Sequence, residues 1–139
     1  MMADVELINS LLTQETLDRL LPRERSDQFF DALLGDPAEG AYDIRLSFKA
    51  YRHRQLLLDL ELHRRPGKCL ACNLTYGLPK VFARHPILNI QGVVDQIGQL
   101  LDGRAHCSGW ELGATREITR ALHVVPLTID LEIQGLSGG

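Results

Sequence analysis

The sequence predicts an α+β fold: an antiparallel or mixed sheet of about five strands, with N-terminal helices and one long amphipathic helix packed on a face. Apolar and polar residues alternate over residues 41–50, 56–63 and 127–133, which is the period of a half-buried strand. Over residues 90–102 the apolar residues recur instead at helical spacing. The presence of both patterns in one chain indicates helices packed against a sheet.

The first third of the chain predicts helices. Residues 4–21 have helical spacing, and Thr13 is expected to cap the turn that follows it. A second helix, SDQFFDALLG, is predicted to begin at a cap on Ser26 and to end at Gly35 in the left-handed conformation. The turn-forming residues DPAEG then separate this helix from the first strand.

Residues 41–62 predict a β-hairpin, because two alternating segments are joined by the short polar link 51–55. Leucine forms strands poorly, so the alternation carries this prediction rather than residue propensity. The positions expected on the buried face are Tyr42, Ile44, Leu46, Phe48 and Ala50 in the first strand and Leu56, Leu58, Leu60 and Leu62 in the second.

A third strand is predicted over residues 68–76, after a turn at Pro66 and Gly67. Successive side chains of a strand point to opposite faces, so Cys69 and Cys72 would lie on opposite sides of the sheet. Only a turn or the start of a helix would bring both sulfur atoms to one point. The function of this segment therefore depends on its backbone conformation.

The remaining elements follow from cap and turn signals. A short helix is expected over residues 80–85, and Asn89 is expected to cap the long amphipathic helix. Residues 107–112 predict a strand that contains the tryptophan, whereas residues 115–122 fit a helix or a strand equally well. The final alternating segment is the last strand of the sheet.

Length and composition place limits on function. The 139 residues predict a single domain over 1–135, followed by a flexible tail at 136–139. A net charge of −3 argues against nucleic acid as the main partner, since phosphate binding needs an excess of lysine and arginine. The chain shows neither a signal peptide nor an apolar run long enough for a membrane, so we expect a cytoplasmic protein.

The pair Cys69-x-x-Cys72 admits three interpretations. Structural zinc needs four ligands, which here would be Cys69, Cys72, His85 and Cys107. A redox dithiol would need a helix after the pair, and Gly77 and Pro79 interrupt that helix. The favoured interpretation is that both cysteines are strand residues, one of them packed as a small apolar side chain.

Two segments, RSDQFFDALLGDPAEGAYDIRL and CLACNLTYGLPKVFARHPILN, resemble a small bacterial family of uncharacterised function. The similarity covers most of residues 13–131. Some members of that family carry a name taken from a homeodomain protein. A homeodomain needs a basic recognition helix and a basic arm, which this acidic, sheet-forming sequence lacks. The resemblance therefore implies no activity and no functional residues.

The sequence favours a non-catalytic domain that binds a small ligand or a protein partner. It contains no Gly-x-Ser-x-Gly nucleophile and no phosphate loop, and its carboxylates lack signs of an acid–base pair. The expected contact surface is the segment 64–86, where the candidate ligand-binding residues are Arg64, Lys68, Tyr76 and His85. Sheet edges also suggest a homodimer. No cofactor is expected, and the alternative is a zinc or thiol–disulfide protein that uses Cys69 and Cys72.

Overall fold

The computed structural model describes residues 2–36, 38, 40–68, 78–101 and 105–133. The predicted third strand at 68–76 and the predicted tail at 136–139 therefore lie outside the described residues, apart from Lys68. The elements follow the order α1 (Met2–Leu11), α2 (Gln14–Leu20), α3 (Glu24–Leu34), β1 (Tyr42–Arg52), β2 (Gln55–Arg64), α4 (Leu78–Arg84), α5 (Ile90–Leu100), β3 (Ala105–Leu112), β4 (Arg116–Thr119) and β5 (Leu122–Ile133).

The five described strands form one antiparallel sheet in the order β1-β2-β5-β3, and β4 also pairs with β5. The α+β prediction is confirmed, and the choice between an antiparallel and a mixed sheet is settled for the described strands. Strand β5, the last of the described strands, lies inside the sheet, between β2 on one side and β3 with β4 on the other. Among the described strands, the two edges of the sheet are therefore β1 and the β3–β4 side.

The hairpin of β1 and β2 confirms the alternation read from the sequence. Ile44, Leu46 and all four leucines at even positions of β2 are buried. A bulge between Phe48 and Ala50 then shifts the register, so that Ala50 pairs with Leu57 and Tyr51 with Leu56. The predicted face is therefore wrong for Ala50, because the extra residue of a bulge moves every following side chain to the other side.

The hairpin closes through a two-residue turn at His53 and Arg54, which replaces the longer link expected over 51–55. Both residues have positive φ, 53° and 60°. This conformation matches the right-handed twist of the flanking strands, and Asn-Gly adopts it with little strain. The Arg54 carbonyl accepts a hydrogen bond from the Leu131 amide, which ties the turn to β5.

Strand β5 is longer than predicted, since it begins at Leu122 and runs through Pro126. A proline inside a central strand normally removes a hydrogen bond from the ladder. Here the Pro126 carbonyl faces the β3–β4 side, where it accepts from the Gly113 amide. The ring nitrogen of Pro126 therefore points into the gap between β3 and β4. The N–H that proline lacks would have had no partner there among the described strands, so no ladder hydrogen bond is lost.

The undecided segment 115–122 forms β4 and a tight turn into β5. All four residues of β4 are exposed, including Ile118. A helix would have buried one stripe of this segment. The strand is stabilised instead by pairing with β5, which is a tertiary contact that the local pattern does not reveal.

The helices and one face of the sheet share a single apolar core. The long amphipathic helix is confirmed as α5, where Asn89 accepts a hydrogen bond from the Gly92 amide and the apolar stripe is buried. Phe29 of α3 contacts both Phe82 of α4 and the His85 ring, with ring centroids 5.7 and 4.8 Å apart. These edge-to-face contacts join the N-terminal helices to the central ones.

The predicted cap on Ser26 is wrong. Helix α3 begins earlier, with Arg23 as the N-cap residue, so Ser26 lies inside the first turn and is fully buried. Its hydroxyl oxygen accepts a hydrogen bond of 2.7 Å from the Ile44 amide of β1. The serine hydroxyl therefore accepts a hydrogen bond from a strand amide rather than from an amide at a helix N-terminus. Thr13 and Gly35, by contrast, have their predicted roles at the start of α2 and the end of α3.

Helix side chains occupy the outer edge of β1. The hairpin register directs the backbone groups of Ile44 and Leu46 away from β2. Ser26 accepts from the first of them, and the Gln14 side chain of α2 donates a hydrogen bond of 2.8 Å to the Leu46 carbonyl. Because these groups already have partners, this part of the edge is closed to another strand.

No helix in the described part of the chain is long and apolar enough to cross a membrane.

The turn at His53 and Arg54 predicts a stabilising substitution. We expect the double change His53→Asn and Arg54→Gly to raise the free energy of unfolding by about 1 kcal/mol, because the new residues adopt positive φ with less strain. Urea unfolding of the two proteins measures the difference. Introducing Asn-Gly in place of Ser10 and Leu11 of α1 should instead destabilise the protein, and a loss of stability at the turn itself would contradict the prediction.

Candidate functional site

A cleft of about 440 Å³ lies where the corner between α2 and α3 meets the start of β1 and the end of β2. Its volume falls within the range of about 300–1,000 Å³ that is typical of small-molecule sites. The lining combines charged and apolar side chains from four elements. They are Asp18, Leu21, Arg23, Asp43, Ile44, Arg45 and His63.

Local folding explains the position of each wall. Pro22 follows the C-cap residue Leu21 and turns the chain, so that Arg23 becomes the N-cap of α3 beside the sheet. The hairpin register places Asp43 opposite His63. Leu21 and Ile44 are both 2% exposed, and they give the cleft an apolar floor.

A paired arginine and aspartate form one side of the cleft. Asp18 of α2 binds Arg45 of β1 through two contacts of 3.2 Å, and it also accepts a hydrogen bond from Gln14. The hydrogen bond from Arg45 lowers the pKa of Asp18, although partial burial acts in the opposite direction. The same contact raises the pKa of Arg45. Both groups are therefore held in their charged forms.

Arg65 binds Asp43, the other carboxylate of the cleft. It contacts Oδ1 of Asp43 at 2.9 and 3.1 Å and Oδ1 of Asp27 in α3 at 2.7 Å. Its guanidinium carbon also lies 5.4 Å from the centre of the Phe30 ring, and its side chain is only 15% exposed. This arginine joins the end of the hairpin to α3, and it neutralises much of the charge of Asp43.

Arg23 has the least constrained guanidinium in the cleft. Its contact with Oδ2 of Asp43 is 3.7 Å long, and its side chain is 84% exposed. A contact of that length is an ion pair without the geometry of a strong hydrogen bond. The N–H groups of Arg23 can therefore reorient toward a bound molecule at low cost.

His63 connects the cleft to a row of charges on the polar face of the sheet. Its Nε2 lies 2.8 Å from Oε1 of Glu61, while Lys49 lies 3.9 Å from the same carboxylate and 3.8 Å from that of Asp59. Burial alone would raise the pKa of Glu61, but the hydrogen bond from His63 and the charge of Lys49 lower it.

This electrostatic arrangement suits recognition better than proton transfer. A general acid needs a carboxyl group whose pKa is raised, and the pKa of Asp18 is shifted the other way. Asp43 forms ion pairs with Arg23 and Arg65. Fixed, charged side chains around an apolar floor are instead typical of a site that orients a small ligand.

The ligand-binding residues predicted from sequence lie in separate surroundings. Arg64 is exposed, and its amide bonds to the Ala121 carbonyl, while the Lys68 amide bonds to the Arg65 carbonyl in the turn. His85 packs on Phe29, and its Nδ1 accepts a hydrogen bond from the Ile87 amide. Tyr76 lies outside the described residues. Among its described residues, the segment 64–86 reaches the cleft through Arg65, which binds Asp43.

Of the four predicted zinc ligands, the structure describes His85 and Cys107. Cys69 and Cys72 lie outside the described residues, so their prediction as a metal or redox pair stays a prediction. Cys107 faces α5, where burial and the nearby Asp95 raise the pKa of its thiol. No group of three or more metal-binding side chains occurs among the residues that the structure describes.

Sequence patterns gave little indication of the cleft. Asp18, Arg23, Asp43 and Arg45 form no motif, and His63 falls on the polar face of its alternating strand. The signal that was present is the hairpin register, which already places Asp43 beside His63. The position of the helix corner, which completes the cleft, depends on packing between distant residues.

A scan against protein-family models, a search of curated proteins and a search of solved structures each found no match. The resemblance to a bacterial family of uncharacterised function therefore stays a prediction.

The Asp18–Arg45 pair predicts a pH-dependent contribution to stability. Because folding lowers the pKa of Asp18, its contribution is present above the unfolded value, near 3.9, and is lost as the pH falls through the folded value. Both side chains are about half exposed, so solvent reduces the effect to a few tenths of a kcal/mol. We expect the stability difference between wild type and Asp18→Asn to shrink below about pH 4 in urea unfolding. A difference that is constant with pH would contradict this.

Proposed function

We propose that the chain is a non-catalytic, cytoplasmic binding domain whose cleft takes a small ligand with an anionic group and an apolar body. The observation that carries the proposal is that the ion pair of Arg23 is much weaker in geometry than the ion pair of Arg45. Arg45 is held by two short contacts to Asp18, whereas Arg23 makes one long contact to Asp43. Arg23 is therefore the cation that is available to a ligand.

The charge on Asp43 supports the same assignment. Its Oδ1 is already bound by the largely buried Arg65, which leaves Arg23 with a partner that is largely neutralised. A ligand carboxylate or phosphate can offer Arg23 two parallel hydrogen bonds, and such contacts are stronger than a single long ion pair. Binding an anion at Arg23 would leave the Arg65 contacts intact.

The apolar floor argues for a ligand with a hydrophobic part. Leu21 and Ile44 lie beneath the charged rim, and both are buried parts of the core. A ring or short alkyl chain placed over them would lose contact with water, which favours binding by about 25 cal/mol per Å² of apolar surface. The anionic group would then fix its orientation.

Four small probes separate these contributions. We would titrate isotopically labelled protein with benzoate, phenyl phosphate, benzyl alcohol and inorganic phosphate, and follow the backbone amide signals by NMR. Benzoate or phenyl phosphate should shift the signals of Asp18, Ile44, Arg45 and His63, which line the cleft. Benzyl alcohol and inorganic phosphate should bind more weakly, because each offers only one of the two features.

Arg23→Gln should weaken benzoate or phenyl phosphate binding by about tenfold or more, since a hydrogen bond to a charged group contributes about 1.5–3 kcal/mol. Arg19→Gln is the matched control, because Arg19 lies on α2 outside the cleft and is paired with Glu15. Equal binding by the Arg23→Gln protein, or signal changes that cluster away from the cleft, would refute the proposal.

A further inference from the structure

The edge strand β3 differs from β1 at the opposite side of the sheet. Helix side chains bond the outward backbone groups of Ile44 and Leu46 in β1. Strand β3 pairs with β5 on its inner side and is the terminal strand of the described sheet. Among the described residues, no strand pairs with the outer side of β3, so the two edges are not equivalent.

A bulge determines which groups of β3 point outward. His106, Gly109 and Glu111 pair with the residues of β5 whose backbone groups face β3, namely Glu132, Asp130 and Thr128. Alternation then directs the backbone groups of four other residues away from the sheet. They are Ala105, Cys107, Trp110 and Leu112. The irregularity between Cys107 and Gly109 makes this outward set symmetric about the midpoint between Ser108 and Gly109.

We propose that β3 pairs with β3 of a second copy of the chain, in an antiparallel register centred between Ser108 and Gly109. In that register Ala105 lies opposite Leu112 of the second copy, and Cys107 lies opposite Trp110. All four have outward backbone groups, so they form the hydrogen-bonded pairs of an antiparallel ladder. His106 then lies opposite Glu111 in the non-hydrogen-bonded pair, where side chains approach most closely.

Charge and burial both favour this partner. The twofold axis brings His106 and Glu111 together twice, and both side chains are exposed in the single chain. Cys107, Trp110 and Leu112 are only partly buried, although they pack against the core. A second copy would cover their exposed parts and continue the apolar face of the sheet across the axis.

The same edge asymmetry limits the assembly to two copies. An open stack would need both edges of every sheet, and at the β1 edge the Ile44 amide and the Leu46 carbonyl are already bonded by Ser26 and Gln14. An isologous contact between two β3 strands uses the same edge of both copies, so the assembly closes as a dimer. This dimer uses none of the residues that line the cleft, so it does not depend on the proposed function.

Introduced cysteines test the register. We would make His106→Cys, Glu111→Cys and the double variant, and oxidise each under native conditions. Positions 106 and 111 lie five residues apart on one strand, about 16 Å, so a disulfide cannot join them within one chain. We expect the double variant to give a cross-linked dimer joined between positions 106 and 111, as shown by peptide mass spectrometry. Each single variant should cross-link no more than the wild-type chain with its three cysteines.

The unmodified protein provides a second measurement. Sedimentation of wild type up to millimolar concentration should show a species of twice the 15.6 kDa chain mass. A wild-type chain that remains monomeric would overturn the proposal even if the double variant cross-links, since collisions could then trap the disulfide. Equal cross-linking of a single variant, or a dimer without the 106–111 link, would show a different interface and would also overturn it.

Discussion

A strand at the edge of a sheet must find partners for its outward backbone groups, and in this protein helix side chains supply them. Ser26 of α3 bonds the Ile44 amide, and Gln14 of α2 bonds the Leu46 carbonyl. An unmatched buried amide costs about 1–3 kcal/mol, so these two contacts fix the helices against β1. The position of the α2–α3 corner follows from that requirement, because the corner lies between Gln14 and Ser26 in the chain.

The cleft is a consequence of the same arrangement. Once α2 and α3 are held at the edge, Asp18 reaches Arg45, and Asp27 shares Arg65 with Asp43. These ion pairs cross from helix to strand, and they surround the small apolar floor that the core leaves open. Because Arg65 and Arg45 are engaged in this structural role, Arg23 remains as the cation whose partner can be exchanged.

The two edges of the sheet differ in the residues that they carry. One edge carries the helices and the cleft, and the other carries β3 with its partly exposed apolar side chains. Strands β2 and β5 separate them, a distance of about 14 Å at the usual strand spacing. A dimer formed through β3 would therefore leave both clefts accessible, and ligand binding and association can be measured separately.

Periodic patterns predicted the fold well, since burial of one face imposes a period of two on β1, β2 and β5 and a helical period on α5. They did not predict the bulges after Phe48 and Cys107, because a bulge is one extra residue whose position depends on the neighbouring strand. Ser26 looked like a helix cap because capping uses the same hydroxyl that β1 requires. The cleft depends on contacts between residues that are far apart in the chain, such as Asp18 with Arg45, and no local pattern encodes them.

Hydrogen exchange at the Ile44 amide tests most directly the role of the helix side chains that bond the edge of β1. In Ser26→Ala this amide loses its buried acceptor, so we expect faster exchange there and a free energy of unfolding that falls by about 1–3 kcal/mol. Gln28→Ala on the exposed side of the same helix should change stability by less than about 0.5 kcal/mol and leave the amide protected. Unchanged protection of Ile44 and unchanged stability in Ser26→Ala would contradict the account.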